Sequence, residues 1–238
     1  SDSEVYDFTG LNLAGDNISL NQSLDIGQTS TPVYNANLQV NADSEFNIAA
    51  TNDVRLNGSA MITATDFVMG AGSIIATGNN LTVNANDIDA GKLYSLDGDI
   101  SLTSQTGLAI NDDITTDTDG VIELSAVDSL NMLAGAEVFS SNTLDVNAGT
   151  IVMATSASLG AHEDVNITST SGGMILGDID ARTNLTLSAV DQDIAINAQL
   201  DAYNSFAVNA ENVSQAENTR IRAGDTSLTV DNYYSADG

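Results

Sequence analysis

The chain has 238 residues and carries 33 Asp and Glu against 5 Lys and Arg, a formal net charge of -28. So acidic a surface repels nucleic-acid phosphates and anionic lipid head groups, which sets both aside as expected partners, and its self-repulsion points to a saline or calcium-bearing medium. Cysteine is absent, which removes disulfides, thiol catalysis and Cys-rich zinc sites, and no apolar run approaches the roughly 18 residues of a helical membrane span.

In chain order, residues 1–17 hold Val5-Tyr6-Asp7-Phe8 and Leu11-Asn12-Leu13, strand-like but off the register that follows, and read as an N-terminal cap or partial rung. From Ile18 a template recurs: apolar, variable, apolar, small polar, Ala or Ser. Its first positions fall at Ile18, Leu38, Ile62, Leu81, Ile100, Ile122, Leu144, Val165, Leu185, Phe206 and Leu228, the match at Ile62 being the poorest. The mean spacing is 21 residues, a period that signals a solenoid or array. An excursion at 27–32, holding the single proline Pro32, is placed in an outer loop, and the 24-residue gap from Leu38 to Ile62 is read as a small insertion. Acids decorate the rungs between Leu81 and Asp119; Gly149, Gly172, Gly173 and Gly177 mark corners where positive φ is easiest. The repeat domain is taken as 18–232, and 233–238, with Tyr233 and Tyr234, as a tail. No basic start followed by an apolar run opens the sequence, so an excised or processed fragment is expected.

Within a rung, side chains alternate in and out. Leu185 and Leu187 face in, Ile194 and Ile196 follow as a second segment, and Leu200 and Ala202 form a third around Asp201. Second segments begin near Ile151, Met174, Ile194 and Val213, and third segments near Leu159, Ile179, Leu200 and Ile221. Apolar spacing at i, i+2 disfavours helices. The predicted fold is all-β, a right-handed parallel β-helix of ten to eleven rungs with three short strands each, roughly 50 Å long at the usual strand spacing. With hydrophobic residues at 42% and aromatics at 5%, Val, Ile, Leu, Ala and Met fill its interior.

The strings Asn184-Leu185-Thr186-Leu187-Ser188-Ala189, Asn80-Leu81-Thr82-Val83-Asn84-Ala85 and Val165-Asn166-Ile167-Thr168-Ser169 resemble the rungs of the filamentous haemagglutinin-like exoproteins, bacterial adhesins exported by two-partner secretion. The resemblance covers about Ile18 to Asp231. It implies a right-handed parallel β-helix acting as a stalk or adhesive shaft, secreted or at the bacterial cell surface. The Asn-Pro-Asn signatures of that family's secretion domain do not occur, so the resemblance points to an interior shaft segment.

Four acid pairs at i, i+2 are candidate calcium ligands: Asp97 and Asp99, Asp117 and Asp119, Asp178 and Asp180, Asp191 and Asp193. On an extended backbone each pair shares an outward face, and calcium prefers several oxygen ligands. Against this, Asp favours turns through local hydrogen bonds, and no Gly-Gly-x-Gly-x-Asp repeat is present. No cofactor is required by the pattern; calcium is the one the acids would admit. For a polysaccharide-active enzyme the acids would need a basic companion, and the supply is Lys92, His162, Arg220 and Arg222. The fourth-position residues Asn41, Asn84, Thr103, Ser125, Asn147, Thr168, Ser188 and Asn209 are expected to stack into a polar ladder. The reading is a non-enzymatic adhesive shaft whose partners are a surface receptor, a glycan or further copies of itself. A self-assembling extracellular filament and a polysaccharide-active β-helix are the alternatives.

Overall fold

The computed structural model describes residues 10–26 and 36–236. Among these residues there is no helix, only strands joined by short bends. All pairings are parallel. The third segments of successive rungs form a 10-stranded sheet, and the first and second segments form a 17-stranded one. One rung comprises Leu81–Ala85, Asp87–Ala90 and Lys92–Ser95; the next comprises Ile100–Ser104, Gly107–Ile110 and Ile114–Thr116. Their registers place Leu81 beside Ile100, Ile88 beside Leu108 and Leu93 beside Ile114. The chain is therefore a β-solenoid of about 21 residues per turn, as the pattern predicts.

The register moves three of the eleven anchors. Leu38 and Leu81 both pair with Ala60, so Ile62 is a third position and the apparent insertion disappears. At the far end Phe206 pairs with Thr226 and Val208 with Leu228. At the near end Leu11 pairs with Leu38, whereas Ile18 pairs with Phe46 and belongs to a second segment. The stretch Gly10–Gly15, read from sequence as part of a cap, is thus a first segment in full register. Val5 to Phe8 and the excursion at 27–32 lie outside the described residues. Tyr233, Tyr234 and Ser235, read as tail, extend the strand Asp225–Ser235 and pair with Val213, Ser214 and Gln215.

Burial follows the template. Leu81, Val83, Ile100, Leu102, Ile122, Leu124, Leu144 and Val146 are all buried, and their columns continue through Leu185, Leu187, Phe206 and Val208. Each such side chain contributes about 1.5–3 kcal/mol on leaving water. The fifth position is Ala or Ser because it sits inside a tight corner: Ala85, Ser104, Ala126, Ala148, Ser169 and Ala189 are all buried. Where it is Ser, the hydroxyl donates to corner carbonyls, as Ser169 does to Gly149 at 2.7 Å and Gly173 at 3.0 Å.

The fourth-position residues do stack in one column, Asn84, Thr103, Ser125, Asn147, Thr168, Ser188 and Asn209 being partners in successive registers, but they do not form a hydrogen-bonded ladder. They point outward, are exposed or half-buried, and among the described residues none bonds another through its side chain. Outward amides keep their hydration and need no partner. A second column, of hydroxyls, stands inside the opposite corner at Thr77, Ser95, Thr116 and Ser140, all buried, the first three adjacent in register. Each donates to a corner carbonyl: Thr77 and Ser95 to Asn79 at 2.6 and 2.7 Å, Thr116 and Ser140 to Gly120 at 3.0 and 2.8 Å. Ser140 also donates to Thr143 O at 2.8 Å. Replacing Ser140 by Ala is expected to cost about 1 kcal/mol, the net worth of a buried hydrogen bond, and to lower the thermal midpoint by about 3 °C. An unchanged midpoint in calorimetry would mean the hydroxyls merely fit the corner.

The corner glycines divide into two kinds. Of the four predicted from sequence to need positive φ, Gly173 alone has it, at +76°. Gly149 is required by close approach, since a Cβ there would lie 2.3 Å from Asp128 O of the preceding rung.

Candidate functional site

One of the four acid pairs has the extended, same-face geometry expected of them, and the other three do not. Asp178 and Asp180 lie together on the straight strand Asp178–Ala181. Asp97 and Asp99 flank Gly98 in a bend, Asp117 and Asp119 straddle another, and Asp191 and Asp193 fall where the strand Asn184–Ile196 shifts register. Asp119 and Asp191 adopt φ of 48° and 58°, a region Asp tolerates better than most residues. Others tie rungs together: Asp99 accepts the Val121 N–H at 2.9 Å, Asp178 the Gln199 N–H at 2.9 Å, and Asp193 the Asn212 amide at 2.6 Å. These roles account for Asp at five of the eight positions without a cation. Acids do come side by side between rungs, in the register column Glu45, Asp66 and Asp87. Among the described residues no three His, Cys, Asp or Glu side chains are grouped so as to hold a metal.

The basic side chains are spread along the third-segment face. Lys92 Nζ lies 3.0 Å from Asp113 Oδ2, and that hydrogen bond raises the ammonium pKa against the opposing effect of burial. It is held charged, the reverse of a lysine tuned as a base. Arg220 bonds Gln199 at 3.1 Å, Arg222 Nε lies 3.5 Å from Asp201, and Arg55 pairs with Asp53 at 2.8 Å. Arg182 is exposed at a corner. His162 is exposed at a corner and meets the Phe139 ring edge-on, centroids 5.0 Å apart.

Tyr94 donates to Asp117 Oδ2 at 3.3 Å, and its pKa is raised first by burial and then by the Asp117 charge. A phenol whose folded pKa exceeds its unfolded one stabilises the fold fully below pH about 10, and the contribution is lost as pH rises through the folded value. Absorbance titration of the parent against Tyr94→Phe is expected to show that the phenol lost ionises above its ordinary value, and Asp117→Asn is expected to make it ionise earlier.

The same face holds a groove that the sequence did not disclose. Phe139, Gly160, Asp180, Asp201 and Arg222 are successive members of one outward column. Gly160 leaves a notch into which Phe139 leans: a Cβ at 160 would lie 2.9 Å from its ring. The notch opens into a groove of about 380 Å³ lined by Glu137, Phe139, Ser158, Asp178, Asp180 and Asp201. A second depression adjoins it, sharing Asp180 and Asp201 and bordered by Tyr203 and Arg222. The signal in sequence was Phe139 standing at an outward position, but its pairing with Gly160 depends on rung register.

No helix among the described residues is long and apolar enough to cross a membrane. No protein-family model matches the chain, and neither a curated protein nor a solved structure matches it.

Proposed function

We propose that the chain is a non-enzymatic shaft segment of a secreted or cell-surface bacterial adhesin, stiff along its axis and contacting a surface receptor or glycan through its third-segment face. One observation carries this reading. From residue 36 onward the connections between described strands are at most five residues long, at 117–121 and 216–220. No loop in that span is long enough to fold over a bound substrate, while the buried columns run the length of the stack. Function then resides in length, rigidity and side faces. The Phe139–Gly160 groove supplies an apolar ring flanked by carboxylate acceptors, which suits a neutral glycan and disfavours an anionic one.

The test is binding of the displayed chain to cells and to immobilised neutral and anionic glycans, alongside turnover assays on the same polysaccharides. Adhesion reduced at least tenfold by Phe139→Ala with an unchanged circular dichroism spectrum is expected. Cleavage of any polysaccharide, abolished by Asp180→Asn or Asp201→Asn, would replace the shaft with an enzyme. Thermal midpoints with calcium, with magnesium at equal ionic strength and with chelator are expected to show no calcium-specific rise, the acids serving as turn formers, inter-rung acceptors and solvating charge.

A further inference from the structure

Two small residues, Ser158 and Gly160, floor the groove on the third-segment face, and a rung of larger side chains stands on either side of them. Glu137 and Phe139 precede them in register; Asp178 and Asp180 follow. These walls are two rung steps apart, about 9.6 Å between backbones, and from one of them Phe139 leans over Gly160. The next strands outward, Ile114–Thr116 and Leu200–Ala202, pair with the walls, so the bay lies wholly between described rungs.

Its charge is one-sided. Glu137, Asp178 and Asp180 are exposed on the walls, and among the described residues no donor is bonded to the carboxylate of Glu137 or Asp180. Asp178 accepts the Gln199 N–H. Lys92, Arg220 and Arg222 are engaged beyond the walls, with Asp113, Gln199 and Asp201, while Arg182 and His162 stand at the adjoining corner. A ligand that docks here displaces water, and in the lower dielectric the three carboxylates repel one another more strongly. A neutral ligand leaves that cost in place; an ammonium between the walls removes it. The Phe139 ring serves both parts of such a ligand, stacking on a sugar and attracting a cation.

We infer that the bay takes one unit of a glycan bearing free amino groups, with its ammonium between Glu137 and Asp180 and its ring against Phe139. This rests on the groove being the glycan contact and names the sugar that it prefers: a neutral unit is accepted, an aminated one is favoured. A lysine side chain offers the charge without the sugar face, so a basic peptide is the poorer fit.

The experiment is calorimetric titration of the full chain with hexamers of glucosamine, N-acetylglucosamine and glucose in one linkage, at a pH where the free amines are protonated, and with a lysine hexapeptide. The glucosamine hexamer is expected to bind about tenfold more tightly than the other sugars and the peptide. Asp180→Asn and Glu137→Gln are each expected to lower that preference about threefold and to leave the glucose hexamer unchanged, and Phe139→Ala to weaken all the sugars. Asp66→Asn, on the second-segment face, controls for the general acidity of the chain. If no sugar binds, or binding ignores Phe139→Ala, the glycan reading of the groove falls and the inference with it. Sugars bound equally well through Phe139 overturn the inference alone. So does a preference that Asp180→Asn and Glu137→Gln leave intact, or one that Asp66→Asn lowers as much, which is diffuse charge. A peptide bound as tightly through the same residues overturns it too, in favour of a basic protein segment.

Discussion

Alanine at Gly173 is expected to be the most damaging of three small substitutions made at glycines, lowering stability by about 4 kcal/mol as positive-φ strain and backbone overpacking combine. Gly173 has a φ of +76°, and a Cβ there would stand 2.5 Å from Asp193 O of the next rung. The other two substitutions separate these causes. Gly135 has a φ of +85° with nothing within 4 Å of a built Cβ, so Gly135→Ala carries strain alone, about 1–2 kcal/mol. Gly149 lacks a positive φ, but a Cβ built on it would lie 2.3 Å from Asp128 O, so Gly149→Ala carries the clash alone. The midpoint for Gly173→Ala should fall by about 10 °C. If it drops no further than that of Gly135→Ala, the rungs are looser than their packing implies.

The second large effect is positional. Leu124 is 1% exposed in the middle of its column, between Leu102 and Val146. Leu124→Asp buries a carboxylate with no polar partner, a cost of several kcal/mol even after water penetrates. Leu228→Asp places the same charge in the same column at the last described rung, where the residue is 45% exposed, and is expected to be nearly neutral for stability. A solenoid in which each rung leans only on its neighbours divides at the damaged turn. Limited proteolysis of Leu124→Asp should therefore cut close to residues 117–128 and leave resistant pieces on either side. Unfolding of the whole chain as one unit would instead show that cooperativity spans the stack.

Much of this architecture could be read from the order of residues, because a small corner residue after two alternating apolar positions recurs often enough to expose its own period. The errors are instructive. Ile62 and Leu228 stand two residues past the true first positions, Ala60 and Thr226. Alternation has a period of two, so a slip of two leaves every side chain on its proper face and the pattern cannot detect it. Ala60 does not stand out in the pattern, because a small residue seldom announces a core column. The hydroxyl ladder escaped for a related reason: Thr77, Ser95, Thr116 and Ser140 look like outward residues until a corner carbonyl is found waiting for each. The groove at Gly160 depends on which residue of the previous rung lies beside it, a matter of register between strands some 21 positions apart. The acid pairs were visible, but their geometry turns on bends that the spacing i, i+2 does not specify.

The acidity of the stack also has a linear dimension. A net charge of -28 spread over a rod of about 50 Å, the length that the rung spacing gives, is about one elementary charge per 1.8 Å of axis. Duplex DNA carries one per about 1.7 Å and holds a condensed counterion atmosphere for that reason. This protein is thus a short polyelectrolyte as well as a scaffold: it carries a sheath of cations wherever it goes. Any cationic partner that lies along it gains from releasing those ions, and two such rods laid side by side repel along their whole length.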